Sequence, residues 1–479
     1  MKRAVLVGLL LLPVSGFAQA PDRSKPPAPE PARPLQVPSA QHLTLSNGLP
    51  LLLVESHQVP VVHVRVVIRA GGTADPVAQV GLASMTADML DEGAGGRSAL
   101  ALADELDFLG AELRADAGWD SSAADLHVLS AHLEPALTLL ADVVERPDFP
   151  AAELERLRKD ALTQLLQDRD EAGAIASRAL SRAVFGERHR YGLPFGGTAA
   201  TLTAFTPEAL RAFHSQYYRS NNAVLIVVGD VTAASLPLFE KAFGGWARGA
   251  ASAPALTAPA QVKGRSLVLV DRPGSAQSAL RFGRVGPPRS APDYPSLEVM
   301  NTLLGGSFTS RLNDNLREQH GYAYGAGSGF DYRRTAGLFM AAADVQTQST
   351  AEAVSEFMKE LTGIRTLAPP EDVARARNYL ALSAGADFET SRQLAARYSE
   401  QWLYGLPADT FTAFVPKALA VGPEELRRVA LAQVDTQNLA IVVVGDMKTV
   451  ETKLRALNLG PVRKLTLDEV MGPAPRLAE

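Results

Sequence analysis

The chain has no cysteine in 479 residues. That absence excludes disulfide bonds, thiol catalysis and thiolate metal sites together, and lipid attachment through a cysteine behind a leader as well. A charge excess is missing too, since 47 lysines and arginines stand against 52 aspartates and glutamates for a formal net charge of −5. Nothing in that balance draws the protein to nucleic acid or to anionic lipid. Long apolar runs are confined to the extreme N-terminus, so no segment of the mature chain is expected to span a bilayer.

At that N-terminus Lys2 and Arg3 precede AVLVGLLLLPV, and Ala18-Gln19-Ala20 supplies the small residues of a cleavage site. Residues 1–20 are therefore expected to be a secretory signal, making the mature protein periplasmic or secreted. Residues 21–40, PDRSKPPAPEPARPLQVPSA, are proline-rich and are expected to form an extended tether. With 46% hydrophobic residues the remainder can bury more than one core.

The remainder repeats itself. TPEALRAF, with Pro207 and Leu210, is followed by NNAVLIVVGDV, with Gly229; GPEELRRV, with Pro423 and Leu426, is followed by QNLAIVVVGDM, with Gly445. Each matched pair lies 216 residues apart, and LLLVE from Leu51 and LVLVD from Leu267 obey the same offset. One period shared by separated elements marks two copies of one domain. In each copy aliphatic, β-branched runs alternate with long helical stretches such as 151–170 and 350–364, an α+β pattern. The expected organisation is a first domain over 41–244, an alanine-, proline- and glycine-rich linker over 245–263 and a second domain over 264–470.

Five segments of the first copy occur in a distinctive order: LTLSNGLPLLLVESHQVPVVHVRVVIRAG from Leu43, GLASMTADMLDEG from Gly81, LERLRKDALTQLL from Leu154, FGERHRYGLPFGGT from Phe185 and YYRSNNAVLIVVGD ending at Asp230. The series resembles the insulinase and pitrilysin zinc metallopeptidases, particularly the short-chain branch that includes the mitochondrial processing peptidase subunits. The resemblance implies two homologous domains, each a mainly antiparallel sheet backed by helices, facing a chamber. It also implies that the helix at 81–93 is where such enzymes carry HxxEH, two histidines one turn apart with a glutamate as general base. Here those positions hold Ser84, Ala87 and Asp88, and the position of the third ligand, a glutamate, falls on Gln164. A hydroxyl, a single carboxylate and a neutral amide lack the imidazole and charge that tetrahedral zinc requires, and Ala87 cannot take a proton from water. The chain is expected to hold no zinc of its own.

From Leu303 the second copy reads LLGGSFTSRLNDNLREQHGYAYGAGSGF. Periodic Phe308, Leu312 and Leu316 predict a helix, Gly321 suits a left-handed cap, and a strand should begin near Tyr322. By spacing alone Arg317 is a surface residue on that helix and Tyr324 a core residue on that strand. The resemblance assigns them instead to an arginine and tyrosine pair, seven residues apart, that contacts the substrate backbone across the chamber from the metal. A guanidinium fork and a phenol suit a peptide carbonyl and the oxyanion that develops on it. Gly305, Gly306 and Ser307 resemble the family's glycine-rich substrate-binding loop and equally fit a plain turn. Arg311 is expected to brace the helix. His127, His132 and His189 are expected to be structural. Arg114 stands where the peptide-binding edge strand of the resembled enzymes usually has asparagine.

The resulting expectation is a metal-free subunit of an exported heteromeric metallopeptidase, inactive alone, lending Arg317 and Tyr324 to a zinc-bearing HxxEH partner that acts on peptides. A second expectation is a non-proteolytic peptide-binding or scaffold protein of the same fold.

Overall fold

The central strands are buried on both faces, which is why their sequences are almost continuously aliphatic rather than alternating. The computed structural model describes residue 30 and residues 34–250 and 256–476. The expected signal and most of the expected tether fall outside the described residues. In the first half β1 (Gln41–Thr44), β2 (Pro50–Glu55), β3 (Val61–Ile68), β4 (Glu112–Ala117), β5 (Ser122–Leu129) and β6 (Ala223–Gly229) form a six-stranded sheet in the order β1-β2-β6-β3-β5-β4. In the second half β7 (Ser266–Asp271), β8 (Gln277–Gly286), β9 (Ala323–Asp331), β10 (Gly337–Gln346), β11 (Ala440–Gly445) and β12 (Val462–Leu465) form the order β9-β10-β8-β11-β7-β12.

The two orders superpose when one is reversed, with β2 on β7, β3 on β8 and β6 on β11. Pairing is antiparallel except for β2 with β6 and, in the second sheet, β7 with both β11 and β12. The fold is thus α+β with two equivalent, mainly antiparallel sheets. The helical stretches expected at 151–170 and 350–364 appear as Ala151–Asp170 and Thr350–Gly363.

One face of each sheet carries the core of its own half. Leu51, Leu53, Val62, Val64, Leu225 and Val227 point into the first core, and Leu267, Leu269, Leu280, Phe282, Ile441 and Val443 into the second. The opposite faces are covered by exchanged helices. Ala172–Phe185, from the first half, lays Ile175, Ala176, Ala179 and Leu180 on Val268, Val270, Val442 and Val444 of the second sheet. Ser391–Tyr404, from the second half, lays Leu394, Ala395 and Tyr398 on Leu52, Val54 and Ile226 of the first. Gly283 on β8 makes room for this exchange, because a Cβ there would stand 2.8 Å from a Leu180 methyl and 2.9 Å from the Phe339 carbonyl oxygen. The residues from Pro34 onward form one compact unit as a result.

Two details depart from the sequence pattern. Trp246, within the stretch expected to be linker, is buried in the first core, and its indole N–H donates to the Tyr218 carbonyl at 3.2 Å. Residues 34–40 also pack down, with Val37 and Ala40 against the cluster that the helix Ser391–Tyr404 forms with the first sheet and the Tyr398 hydroxyl donating to the Pro38 carbonyl. Among the described residues no helix is long and apolar enough to cross a membrane.

Candidate functional site

The helix Leu82–Asp88 starts at Gly81, whose φ of 93° is a conformation that favours glycine. Its first amide groups are satisfied from outside the helix: Asp75 accepts from the Gly81 N–H at 2.7 Å and from the Ala83 N–H at 2.8 Å. Arg190 donates to the same carboxylate at 2.7 Å, and both side chains are buried. Leu82, Met85 and Met89 fix one side of the helix in the first core. Ser84, Met85 and Asp88 line a cavity of about 710 Å³.

That cavity gathers Ser84, Asp88 and Gln164, three of the four positions that the resemblance assigns to metal chemistry. Gln164 arrives on the helix Ala151–Asp170, and Gly329, Phe330, Asp331 and Arg333 of the second half complete the wall. Ala87 is fully buried and is not among the lining residues. The polar groups bond locally, the Ser84 hydroxyl donating to Asp88 at 3.5 Å and the Gln164 amide donating to Asp168 at 2.8 Å. Asp88 opens to the cavity, but the walls displace much of its water and Asp91 repels its charge, which pushes its carboxyl up to about 6. One carboxylate, one hydroxyl and one amide do not fit zinc. Among the described residues no three histidine, aspartate or glutamate side chains are grouped to hold a metal.

Arg317 and Tyr324 come together elsewhere and do not line this cavity. The Arg317 guanidinium carbon lies 5.6 Å from the centre of the Tyr324 ring and 4.6 Å from that of Phe308. Arg317 sits in a π-helical turn, Asp314–Gln319, that follows the short helix Arg311–Asn313; such turns recur at functional sites. Gly321, at φ 64°, ends it. Tyr324 lies on β9, an edge strand, where the register with β10 slips between Ala323 and Ala326. The extra residue breaks the inside–outside alternation, and Tyr324 is 90% exposed instead of sitting in the core. Phe308, expected on the apolar face of a helix, precedes the helix and is 69% exposed. Buried Asn313 positions the group, donating to the Phe308 carbonyl at 2.7 Å and accepting from the Ala326 N–H at 3.2 Å.

Gly305, Gly306 and Ser307 close the helix Tyr294–Leu304. The N–H groups of both glycines donate to the Asn301 carbonyl, and the Ser307 hydroxyl donates to the Thr302 carbonyl at 3.1 Å. A Cβ on Gly305 would lie 2.3 Å from the Ser328 nitrogen, so the loop needs glycine to rest against β9. Arg311 pairs with Glu360 at 2.8 Å. His132 bonds the Leu109 carbonyl, and His189 bonds the Tyr191 N–H and the Thr257 carbonyl. His127 tilts against His63. Arg114 is exposed on β4, the edge of the first sheet.

Sequence reasoning missed Asp75, Arg190, Trp119 and Arg333. Trp119 contacts two guanidinium groups, Arg190 at 5.0 Å from the first half and Arg333 at 4.4 Å from the second, and so joins the halves beside the cavity. Arg190 and Trp119 stand far from Asp75 and Arg333 in sequence, and no local pattern pairs them.

Two family descriptions match the chain: Insulinase (Peptidase family M16) over residues 51–194 and Peptidase M16 inactive domain over residues 204–380. An uncharacterized zinc protease of Mycobacterium tuberculosis is 30% identical over 312 residues, 64% of this chain and 70% of that protein. The non-peptidase homolog YmxG of Helicobacter pylori is 23% identical over 422 residues, 86% of this chain and 96% of that protein. A crystal structure of a peptidase M16 inactive domain from Pseudomonas fluorescens superposes with a TM-score of 0.80 at 27% identity, covering 85% of this chain and 98% of that one.

Proposed function

Because the chain belongs to the insulinase family of peptidases, family M16, we propose that it is the metal-free subunit of an exported heteromeric peptidase, working with a zinc-bearing partner that carries HxxEH. The observation that carries this reading is a separation of parts. The degenerate positions Ser84, Ala87, Asp88 and Gln164 supply no metal ligand set, whereas Arg317, half-exposed beside Glu318 at 3.5 Å, stands next to Tyr324, which is open to solvent and available to a second chain. There the guanidinium and the phenol donate to a substrate carbonyl and stabilise the charge that grows on its oxygen, while hydrolysis belongs to the partner. Gly305, Gly306 and Ser307 shape the loop beside this pair and help seat the peptide. The shared strand order and the 216-residue offset support descent of 41–244 and 264–470 from one duplicated unit. Export rests on residues 1–20.

The test is reconstitution. The purified chain is mixed with an HxxEH-bearing family member from the same organism, and peptide turnover is followed. Activity should appear with both chains present and fall in Arg317→Ala and Tyr324→Phe; full turnover by those variants in the mixture overturns the reading. A second reading, a peptide-binding or scaffold protein without proteolysis, is favoured by the name of the Helicobacter relative, a non-peptidase homolog. It predicts partner or peptide binding with no cleavage in any mixture.

A further inference from the structure

The cavity under the helix Leu82–Asp88 contains two opposite charges, Arg178 and Asp88, that have no ion-pair partner among the described residues. Arg178 reaches it from the exchanged helix Ala172–Phe185, anchored by its Nε–H donating to the Val470 carbonyl at 3.2 Å. Among the described residues its two terminal nitrogens meet no acceptor and no carboxylate stands within ion-pair distance. The cavity's other arginine, Arg333, is neutralised by Asp331. Of the remaining carboxylates, Asp168 accepts from Gln164 and feels Arg178 only at longer range. Asp88 has only the weak Ser84 hydroxyl bond and no cation among the described residues.

A half-buried guanidinium with no carboxylate in contact is unfavourable, and burial pushes that of Arg178 down to about 10 although Asp168 acts against the shift from longer range. A ligand carboxylate would relieve this through two parallel N–H···O bonds, and an ammonium would do the same for Asp88. The lining also offers apolar surface from Met85, Trp119, Phe195, Phe330 and Met340. About 710 Å³ suits a ligand of a few residues. We propose that this cavity binds a short peptide with free termini, its carboxylate on Arg178 and its ammonium near Asp88. The site involves neither Arg317 nor Tyr324 and needs no partner chain. In this protein the pocket that a peptidase would devote to a metal holds a zwitterion instead.

Isothermal titration of the purified chain alone with trialanine, trialanine amide and N-acetyl-trialanine tests this. Trialanine should bind, and removal of either terminal charge should weaken binding at least tenfold. Arg178→Gln should weaken trialanine at least tenfold and abolish the preference for trialanine over its amide; Asp88→Asn should abolish the preference over the acetylated peptide. Equal binding of trialanine and its amide, no trialanine binding at millimolar concentration, or a retained amide preference in Arg178→Gln overturns the proposal. The three peptides decide the matter on the unsubstituted chain even if a variant fails to fold. Turnover in the reconstituted pair is a separate readout and fails or succeeds independently.

Discussion

The Arg190 guanidinium donates to the Asp75 carboxylate at 2.7 Å with both side chains buried, and that carboxylate also holds the first amides of the helix bearing Ser84 and Asp88. Burial pushes the Asp75 carboxyl up and the Arg190 guanidinium down, so each ion is kept charged by the other and by its hydrogen bonds. Removing one partner strands a charge in the interior, a loss of about 3–5 kcal/mol. Asp75→Ala should therefore lose roughly that much in denaturant unfolding, and Asp75→Asn combined with Arg190→Met should lose less. Equal stability of Asp75→Ala and the native chain would show that the pair does not secure the helix.

The exchanged helices make a second prediction. Leu180 crosses from the first half onto the second sheet and is fully buried over Gly283. Leu180→Ala should lose about 2–5 kcal/mol. Gly283→Val should lose about 1–3 kcal/mol, since its added carbons meet Leu180 and a backbone carbonyl that cannot move freely. A single cooperative unfolding transition, lowered as a whole in both variants, is the expected outcome. Independent melting of the two halves would contradict the coupling.

Much of this fold is legible in the sequence because β-branched runs and a fixed offset report local structure directly. Leu51 to Glu55 and Leu267 to Asp271 are strands in equivalent places of two sheets. The exchange is not legible. Hydrophobic periodicity says that Ile175, Ala176, Ala179 and Leu180 are buried, but it does not say against which sheet. At the candidate site the error has a different origin. Strict alternation sends Tyr324 inward, and only the unpaired residue between Ala323 and Ala326 turns it out. Nothing in the local residue types of AYGAGSG announces that slip. Phe308 departs from the apolar spacing because the helix starts at Arg311, one turn later than that spacing implies.

The side chains around the cavity can be replaced to ask whether it is a metal site in outline. Ser84 and Asp88 are one turn apart on one helix and Gln164 faces the same space. The triple variant Ser84→His, Asp88→His and Gln164→Glu should take up about one zinc per chain. Metal analysis after dialysis reads the result directly. The native chain should retain none, and a triple variant without zinc would show that the three positions do not converge.

The same cavity should give stability a pH dependence centred on Asp88. Its folded carboxyl is pushed up to about 6 from an ordinary value of 3.8, so the folded chain binds this proton more tightly than the unfolded chain does. That contribution is fully present at low pH and is lost as pH rises from about 3.8 through about 6. Asp91, also raised to about 6, acts in the same direction. Other groups oppose them: buried His214, lowered to about 4 and bonded to the Val144 carbonyl at 2.8 Å, favours the folded state as pH rises between about 4 and 6.5. The Asp88 contribution must therefore be isolated by difference. Asp88→Asn should melt higher than the native chain at pH 7.5, and the gap should close toward pH 4, where the native carboxyl is protonated too. Solvent entering the cavity screens the charge and keeps the gap modest. A gap that stays constant across this range would mean that the substitution acts through packing, and that Asp88 titrates like an exposed aspartate.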